Sequence, residues 1–326
     1  LRQALVTGAS GFVGGETCRA LANRGWRVRM ALRAEQAGGP CADPTYERTL
    51  VGEIGPETDW AEALAGVESV VHLAARVHVM RERAADPDAA FARINTQGTL
   101  GLARAAAAAG IRRFVYVSSV KVNGEATAGR PFTEEDPPNP SDAYARSKAN
   151  AEQGLARVAA ETGLETVVVR PPLVYGPNVA GNLRRILGAL DLGLPLPLGS
   201  VANRRSMVGV WNLADLLALC AENPAAVGQT FLAADQPDLS TPELIRLLAA
   251  GLGKTPRLWP LPPRLLHWVG AAVGRGAEVE RLCGSLQVSA EKARHLLGWV
   301  SPVPLEEGLR RTARAYSEAT ARMRQA

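Results

Sequence analysis

Cysteine, lysine and aromatic residues are all scarce in this 326-residue chain. The four cysteines, Cys18, Cys41, Cys220 and Cys283, lie far apart and form no C-x-x-C pair. That excludes a disulfide-stapled scaffold, and reduced, mostly buried thiols in a cytoplasmic protein are expected, with no metal bound. No run of 18 or more uncharged apolar residues occurs; the greasiest stretch, Leu265 to Val273, is about half the length of a membrane span. No membrane partner is therefore expected. The chain opens on Leu1, not Met, and passes straight into a strand-like run, which fits a trimmed start and not a signal peptide. Internal repeats are lacking, and the one biased tract is the alanine-rich Ala103–Ala109. Net charge is +5, but the basic residues are spread out apart from a slightly basic tail at Arg310, Arg311, Arg314, Arg322 and Arg324. A nucleic-acid partner would need a clustered patch with interleaved aromatics, so none is expected.

What remains, 47% hydrophobic and 21% charged residues, suits a soluble enzyme with one large or two modest domains. Short β-rich runs at Gln3–Thr7, Arg27–Leu32, Tyr46–Val51, Ser69–Leu73, Arg113–Val117 and Thr166–Arg170 alternate with helical stretches. The latter fall at Phe12–Arg24, Thr58–Ala65, Ala89–Ala109 and Asp142–Glu161. Apolar central strands in a βαβαβ rhythm predict an α/β fold with a doubly wound parallel sheet of the Rossmann type. After Arg170 prolines punctuate shorter elements, which predicts a smaller α/β substrate domain. The expected division is a dinucleotide-binding domain over 1–172, with 206–235 returning to it, and a substrate domain over 173–326. The return rests on Arg205–Cys220, which reads as one more strand and helix.

Two motifs carry chemistry. Behind the first strand, Gly8, Gly11 and Gly14 mark a strand-to-helix turn where backbone can approach a pyrophosphate held by the helix N-terminus. An acidic residue about 20 positions on would select NAD by binding the ribose diol. Leu32 and Arg33 stand there instead, and an arginine can pair with a 2′-phosphate, so NADP is favoured over NAD. Glu53 and Ile54 are placed to flank the adenine. Leu73, Ala74 and Ala75 put small side chains where backbone passes the dinucleotide. Asn95, inside a long helix, is either exposed or fixes backbone near the active site.

The second motif is Tyr144-Ala-Arg-Ser-Lys148, with a phenol and an ammonium one helical turn apart. With so few tyrosines and lysines, an accidental Y-x-x-x-K is expected in roughly 6% of such chains. Lys148 is expected to lower the phenol pKa by stabilising phenolate, making Tyr144 an acid/base near neutrality. The strand Arg113–Val117 runs into Ser118-Ser119, and Ser119, 25 residues before Tyr144, can bond the same substrate oxygen.

Together with His72–Ala75, Asn95, Arg170-Pro-Pro-Leu-Val-Tyr-Gly-Pro177 and Arg205–Asp215, these motifs resemble the extended short-chain dehydrogenase/reductase family, in its nucleotide-sugar epimerase and reductase branch. The resemblance covers most of the chain. It implies catalytic Ser119, Tyr144 and Lys148, with dinucleotide contacts from Gly8 to Gly14 including Ser10, Phe12 and Val13, and from Ser118, Tyr144, Lys148 and Pro171. It also implies substrate contacts at Ser119, Lys121, Asn182, Arg205 and Arg281, the last on a spacing that departs from the family pattern. A UDP-sugar substrate, surface-polysaccharide synthesis and a homodimer built on the helices 89–109 and 142–161 are implied as well. Sugar 4,6-dehydratases carry an acidic pair where this chain has Val120-Lys121, which argues against dehydration. Val122-Asn123-Gly124 replaces the usual Val-Tyr-Gly, an exchange expected to alter the substrate pocket. Epimerisation at C4 and reduction of a 4-keto sugar stay open. Reduction of a steroid or flavonoid ketone, and a catalytically inactive sensor, are the alternatives.

Overall fold

Gln3–Thr7 (β1) is buried on every residue, as expected of a strand covered on both faces. The computed structural model describes residues 2–34, 43–77, 86–272, 274 and 276–325, so Cys41 lies outside the described residues. Five more strands follow: Arg27–Leu32 (β2), Glu47–Leu50 (β3), Ser69–His72 (β4), Arg113–Val117 (β5) and Glu165–Arg170 (β6). Leu173–Tyr175 (β7) and Met207–Gly209 (β8) pair with each other in a separate small sheet, and Thr230–Leu232 (β9) rejoins the large one. The large sheet has the order β3-β2-β1-β4-β5-β6-β9 with all pairs parallel. This is a doubly wound α/β fold, and the order reverses between β1 and β4. Ligands of such sheets bind at that switch point, beyond the carboxyl ends of the strands.

The helices explain where side chains are delivered. Gly14–Asn23 (α1) follows the glycine turn, and its buried Thr17, Cys18 and Leu21 face the core. The short Ala61–Leu64 (α2) is about half the helix expected there. The single helix expected over 89–109 is three pieces: Pro87–Phe91 (α3), a π-helical stretch Ala92–Gly98, and Thr99–Ala108 (α4). Asp86 starts the first piece by accepting the Ala89 N–H at 3.0 Å, with proline at the first position. The π-turn has a cause in the sequence: Asn95 is buried and turned inward to polar partners, and such bulges concentrate at functional sites. Ala143–Thr162 (α5) is capped by Asp142, which accepts the Ala145 N–H at 2.7 Å, and stops at Gly163 in the left-handed conformation.

The returning segment divides. Its strand β8 belongs to the small sheet, but the next helix, Val210–Glu222 (α7), packs on α1, and β9 then joins β6. A three-residue strand carries too little periodicity to be separated from its helix by sequence. The remaining helices, Gly181–Asp191 (α6), Thr241–Gly251 (α8), Pro263–Ala272 (α9), Gly276–Cys283 (α10), Glu291–Leu297 (α11) and Leu305–Gln325 (α12), come mostly from the C-terminal third. Tyr175, Leu187, Ile245, Leu248 and Leu309 form a second core among them. A buried carboxylate ties this region together. Asp235 accepts from Tyr175 Oη at 2.7 Å, Gly209 N at 2.8 Å, Asn212 Nδ2 at 2.7 Å and Ser301 Oγ at 3.1 Å. With four donors the buried charge is compensated. No helix among the described residues is long and apolar enough to cross a membrane.

Candidate active site

Close packing at the glycine turn leaves no room for side chains. Gly8 has φ +67°, and a Cβ there would lie 2.8 Å from Ala74 N, whereas one on Gly14 would lie 2.1 Å from Gly8 O. Gly11 N–H donates to Gly8 O at 2.9 Å, closing the turn ahead of α1. A cleft of about 550 Å³ opens beside it, lined by Ser10, Gly11, Phe12, Pro177, Asn178 and Val210. Exposed backbone at a helix N-terminus, next to a cleft of this size, fits the diphosphate of a dinucleotide. Gly14→Ala should therefore shift the turn, costing about 1–3 kcal/mol of stability. A fluorescence titration should also find dinucleotide affinity reduced about tenfold or more; unchanged affinity would remove the cradle from the site.

Three polar residues brace the crossing from β1 to β4. Thr7 Oγ1 lies 2.7 Å from His72 Nδ1, and His72 Nε2 lies 2.9 Å from Thr99 Oγ1. Thr7 Oγ1 also accepts the Ala74 N–H at 3.2 Å. Burial pushes the His72 imidazole down to about 3, and the Lys148 charge adds to the shift, so the ring is neutral. Asn95 belongs to the same scaffold. It accepts the Arg76 N–H at 2.8 Å, and its Nδ2 donates to Arg76 O and Ser147 Oγ, each at 3.0 Å. Ser147 Oγ donates in turn to Tyr144 O at 2.7 Å. Of the two roles open to Asn95, it fills the second: it fixes the backbone after β4 to the helix that carries Tyr144.

Tyr144 and Lys148 occupy one face of α5. Lys148 is 2% exposed, its Nζ donates to Val117 O at 2.8 Å, and it lies 4.6 Å from the centre of the Tyr116 ring. Val117 ends β5, so the lysine is anchored one residue before Ser118 and two before Ser119. The Ser118 N–H donates to Val169 O at 2.8 Å and that of Val120 to Pro171 O at 3.0 Å, which pins the serine turn to the end of β6. Ser119 is extended and caps a 3-10 turn by accepting the Lys121 N–H at 3.2 Å. Ser118 is buried with its hydroxyl unbonded to protein, a polar atom aimed at no partner of its own chain.

The electrostatics differ from the expected lowering of the phenol by Lys148. Burial pushes the Tyr144 phenol up to about 12, with the Ser119 hydroxyl pulling it down and the Asp142 charge adding to the rise. Burial also lowers Lys148 to about 7, against an upward pull from Glu152. Desolvation dominates both shifts, and the ammonium is spent on the Val117 carbonyl.

Other expected contacts have definite places. Lys121 binds Asp142 at 2.6 Å and Glu125 at 2.7 Å, joining the serine turn to the start of α5. Glu53 and Ile54 line a second cleft of about 560 Å³ with Arg76 and Arg93. Leu73 and Ala75 are half-buried after β4, and Arg33 is exposed just past β2. Arg205 donates to Arg281 O at 2.9 Å and Gly284 O at 3.0 Å, so the segment leading into β8 and the end of α10 meet at this guanidinium. The Arg281 side chain itself is exposed. Asn182 sits in the first turn of α6, half-buried. The Asn123 exchange falls at a buried position. Asn123 accepts from Arg170 at 3.1 Å and donates to Thr133 O at 3.2 Å.

Sequence reasoning passed over two groups that hold the site. Glu152 forms a buried pair with Arg170, with Arg170 Nε donating at 3.0 Å, and its position one turn beyond Lys148 was the available signal. Thr99, across from His72, gave no signal, since its role depends on β4 and α4 meeting in space.

An α/β sheet with a glycine cradle, a Tyr–Lys helix and a serine turn defines a dinucleotide-dependent oxidoreductase-type fold. Residues 4–234 match the family model described as the NAD dependent epimerase/dehydratase family, and the chain belongs to that family. It is 39% identical over 321 residues to a UDP-glucose 4-epimerase of Vibrio cholerae, covering 98% of this chain and 96% of the relative. An N-acetyl-α-D-glucosaminyl-diphospho-ditrans,octacis-undecaprenol 4-epimerase of Escherichia coli O157:H7 is 27% identical, with coverage of 94% and 93%. Among solved structures, the UDP-glucuronic acid 4-epimerase of Bacillus cereus in complex with NAD aligns with a TM-score of 0.79 at 19% identity, covering 97% of this chain and 99% of that one. That likeness concerns the fold.

Proposed function

We propose that this chain inverts the configuration at C4 of a UDP-linked hexose or N-acetylhexosamine. The reading is carried by one juxtaposition: Tyr144 and Lys148 on the inner face of α5, with Ser119 at the end of β5, beyond the same sheet edge as the glycine cradle. The resemblance to the Vibrio cholerae relative along nearly the whole chain supports it. Residues 1–172 with the α7–β9 return serve the dinucleotide, and 173–326 serve the sugar nucleotide through Asn182, Arg205 and Arg281.

The dinucleotide, held at Gly8–Gly14, would supply a hydride acceptor and donor at C4. Everything else is done by the chain. Tyr144 handles the proton on the C4 oxygen, and Ser119 bonds the same oxygen and orients it. A phenol raised to about 12 rests protonated and suits donation to a ketone oxygen. Taking the hydroxyl proton in the other direction needs phenolate stabilised, and the charged form of Lys148 is the group placed to do so. Its value near 7 means that Glu152, which raises it, helps keep that charge at neutral pH.

Exposed Arg33 favours a second reading, NADPH-dependent reduction of a 4-keto sugar. The two part on stoichiometry. The purified protein is incubated with UDP-glucose, UDP-N-acetylglucosamine or a UDP-4-keto-6-deoxy sugar, with and without NADPH. Inversion at C4 without added reductant is expected; stoichiometric NADPH loss with the keto sugar alone would select the reductase. A role in surface-polysaccharide precursor synthesis in the cytoplasm accords with either outcome. A homodimer through α4 and α5 is expected, and sedimentation finding only monomer at micromolar concentration would dispose of it.

A further inference from the structure

Exposed apolar residues are scattered singly over most of this surface, which is ordinary, but not around α9. Four of the fourteen large exposed hydrophobics among the described residues fall within eleven positions: Trp259 at 63%, Leu265 at 44%, Trp268 at 70% and Val269 at 44%. On α9 the pattern is a stripe. Leu265, Trp268, Val269 and Ala272 follow the i, i+3, i+4, i+7 spacing of one helix face, and all four point to solvent. Leu266 and Gly270 are the buried side of the same helix. An amphipathic helix normally turns such a stripe inward. Trp259 lies just upstream, in a segment held by Leu196 N–H to Arg257 O at 2.8 Å and Trp259 N–H to Leu196 O at 2.9 Å. Exposed Leu194 stands beside that pairing.

The segment that carries the stripe has charge of one sign. From Leu244 to Ala272 the sequence has no Asp or Glu but has Arg246, Lys254, Arg257 and Arg264. Lys254 is paired with Asp191 at 2.7 Å, while Arg257 and Arg264 are exposed. Carboxylates from neighbouring elements also reach this region: on α10, Glu278 binds Arg185 at 2.9 Å and Glu280 lies 3.5 Å from His267.

We propose that the α9 face docks on an anionic lipid surface, with the apolar stripe in the headgroup–acyl boundary and Arg257 and Arg264 on lipid phosphates. Tryptophan beside leucine, flanked by arginine, is the chemistry of that boundary, and it needs no spanning helix. This reverses the expectation of no membrane partner, which rested on the lack of a spanning run alone. A second copy of the chain fits less well, because a two-fold contact sets each arginine against its own like charge. The phosphates of a nucleic acid would leave the stripe exposed to water.

The test uses the intact protein and sedimentation with vesicles of phosphatidylcholine, with or without about one quarter phosphatidylglycerol. Co-sedimentation with the anionic vesicles is expected at low salt, weakening as salt is raised, with a blue shift of tryptophan emission. The double variant Leu265→Ser, Trp268→Ser should bind about tenfold less or weaker still, yet turn over soluble UDP-sugar as the parent does. No binding by the parent, equal binding by the variant, or self-association that the variant abolishes would each overturn the proposal. Turnover is read separately, so loss of the docking result leaves the C4 reading standing.

Discussion

Tyr144→Phe should lower turnover at C4 by about 10³-fold and leave dinucleotide affinity within a factor of about three. The size follows from what is deleted, a single oxygen that moves the proton of the reacting hydroxyl. The selectivity follows from what is kept. The ring meets Phe91 edge-on with centroids 6.0 Å apart, and that contact survives the change, as does the Ser147 hydroxyl bond to the Tyr144 carbonyl. Lys148 is held by Val117 O and does not depend on the phenol for its place. Turnover and titration of bound dinucleotide on the same preparation check both halves. A variant as active as the parent would remove Tyr144 from the chemistry.

Acidification should unfold the protein through His72. This ring is buried and neutral, with its folded value near 3 against about 6.5 when exposed. Because the folded value is lowered, the contribution is fully present above pH 6.5 and is lost as pH falls towards 3, where the unfolded state binds a proton and the folded state does not. The loss reaches roughly 3 kcal/mol by pH 4 and about 4 kcal/mol at pH 3. Denaturant unfolding across pH 7.5 to 4, paired with NMR titration of the His72 ring, measures it. A ring that titrates near its ordinary value would mean that the Thr7–His72–Thr99 brace opens in solution.

The fold was legible because its signals are local. The apolar run before Gly8, the glycine spacing, and the Tyr144–Lys148 step each need only neighbouring residues to be read. All of the first six strands match their expected spans to within one residue at either end, as hydrophobic periodicity allows. Three-dimensional effects account for the misses. A π-turn in place of an unbroken helix arises because Asn95 is drawn inward by Arg76 and Ser147, partners from distant parts of the chain. Asn123, an exchange expected to alter the substrate pocket, is bonded to Arg170, and nothing within its own segment announces that. The direction of the Tyr144 shift was misjudged for the same reason: an i,i+4 step is visible in the sequence, whereas desolvation of both groups is a property of the packed fold.

The central claim is that Ser119, Tyr144 and Lys148 work on the C4 oxygen of a sugar nucleotide beside the glycine cradle. The most direct measurement is NMR of UDP-glucose and UDP-N-acetylglucosamine incubated with the purified protein and no added reductant. Appearance of the C4-inverted sugar, abolished by Tyr144→Phe, is the predicted result. No inversion of either sugar by a preparation that still binds dinucleotide, or inversion that persists in the variant, would contradict it.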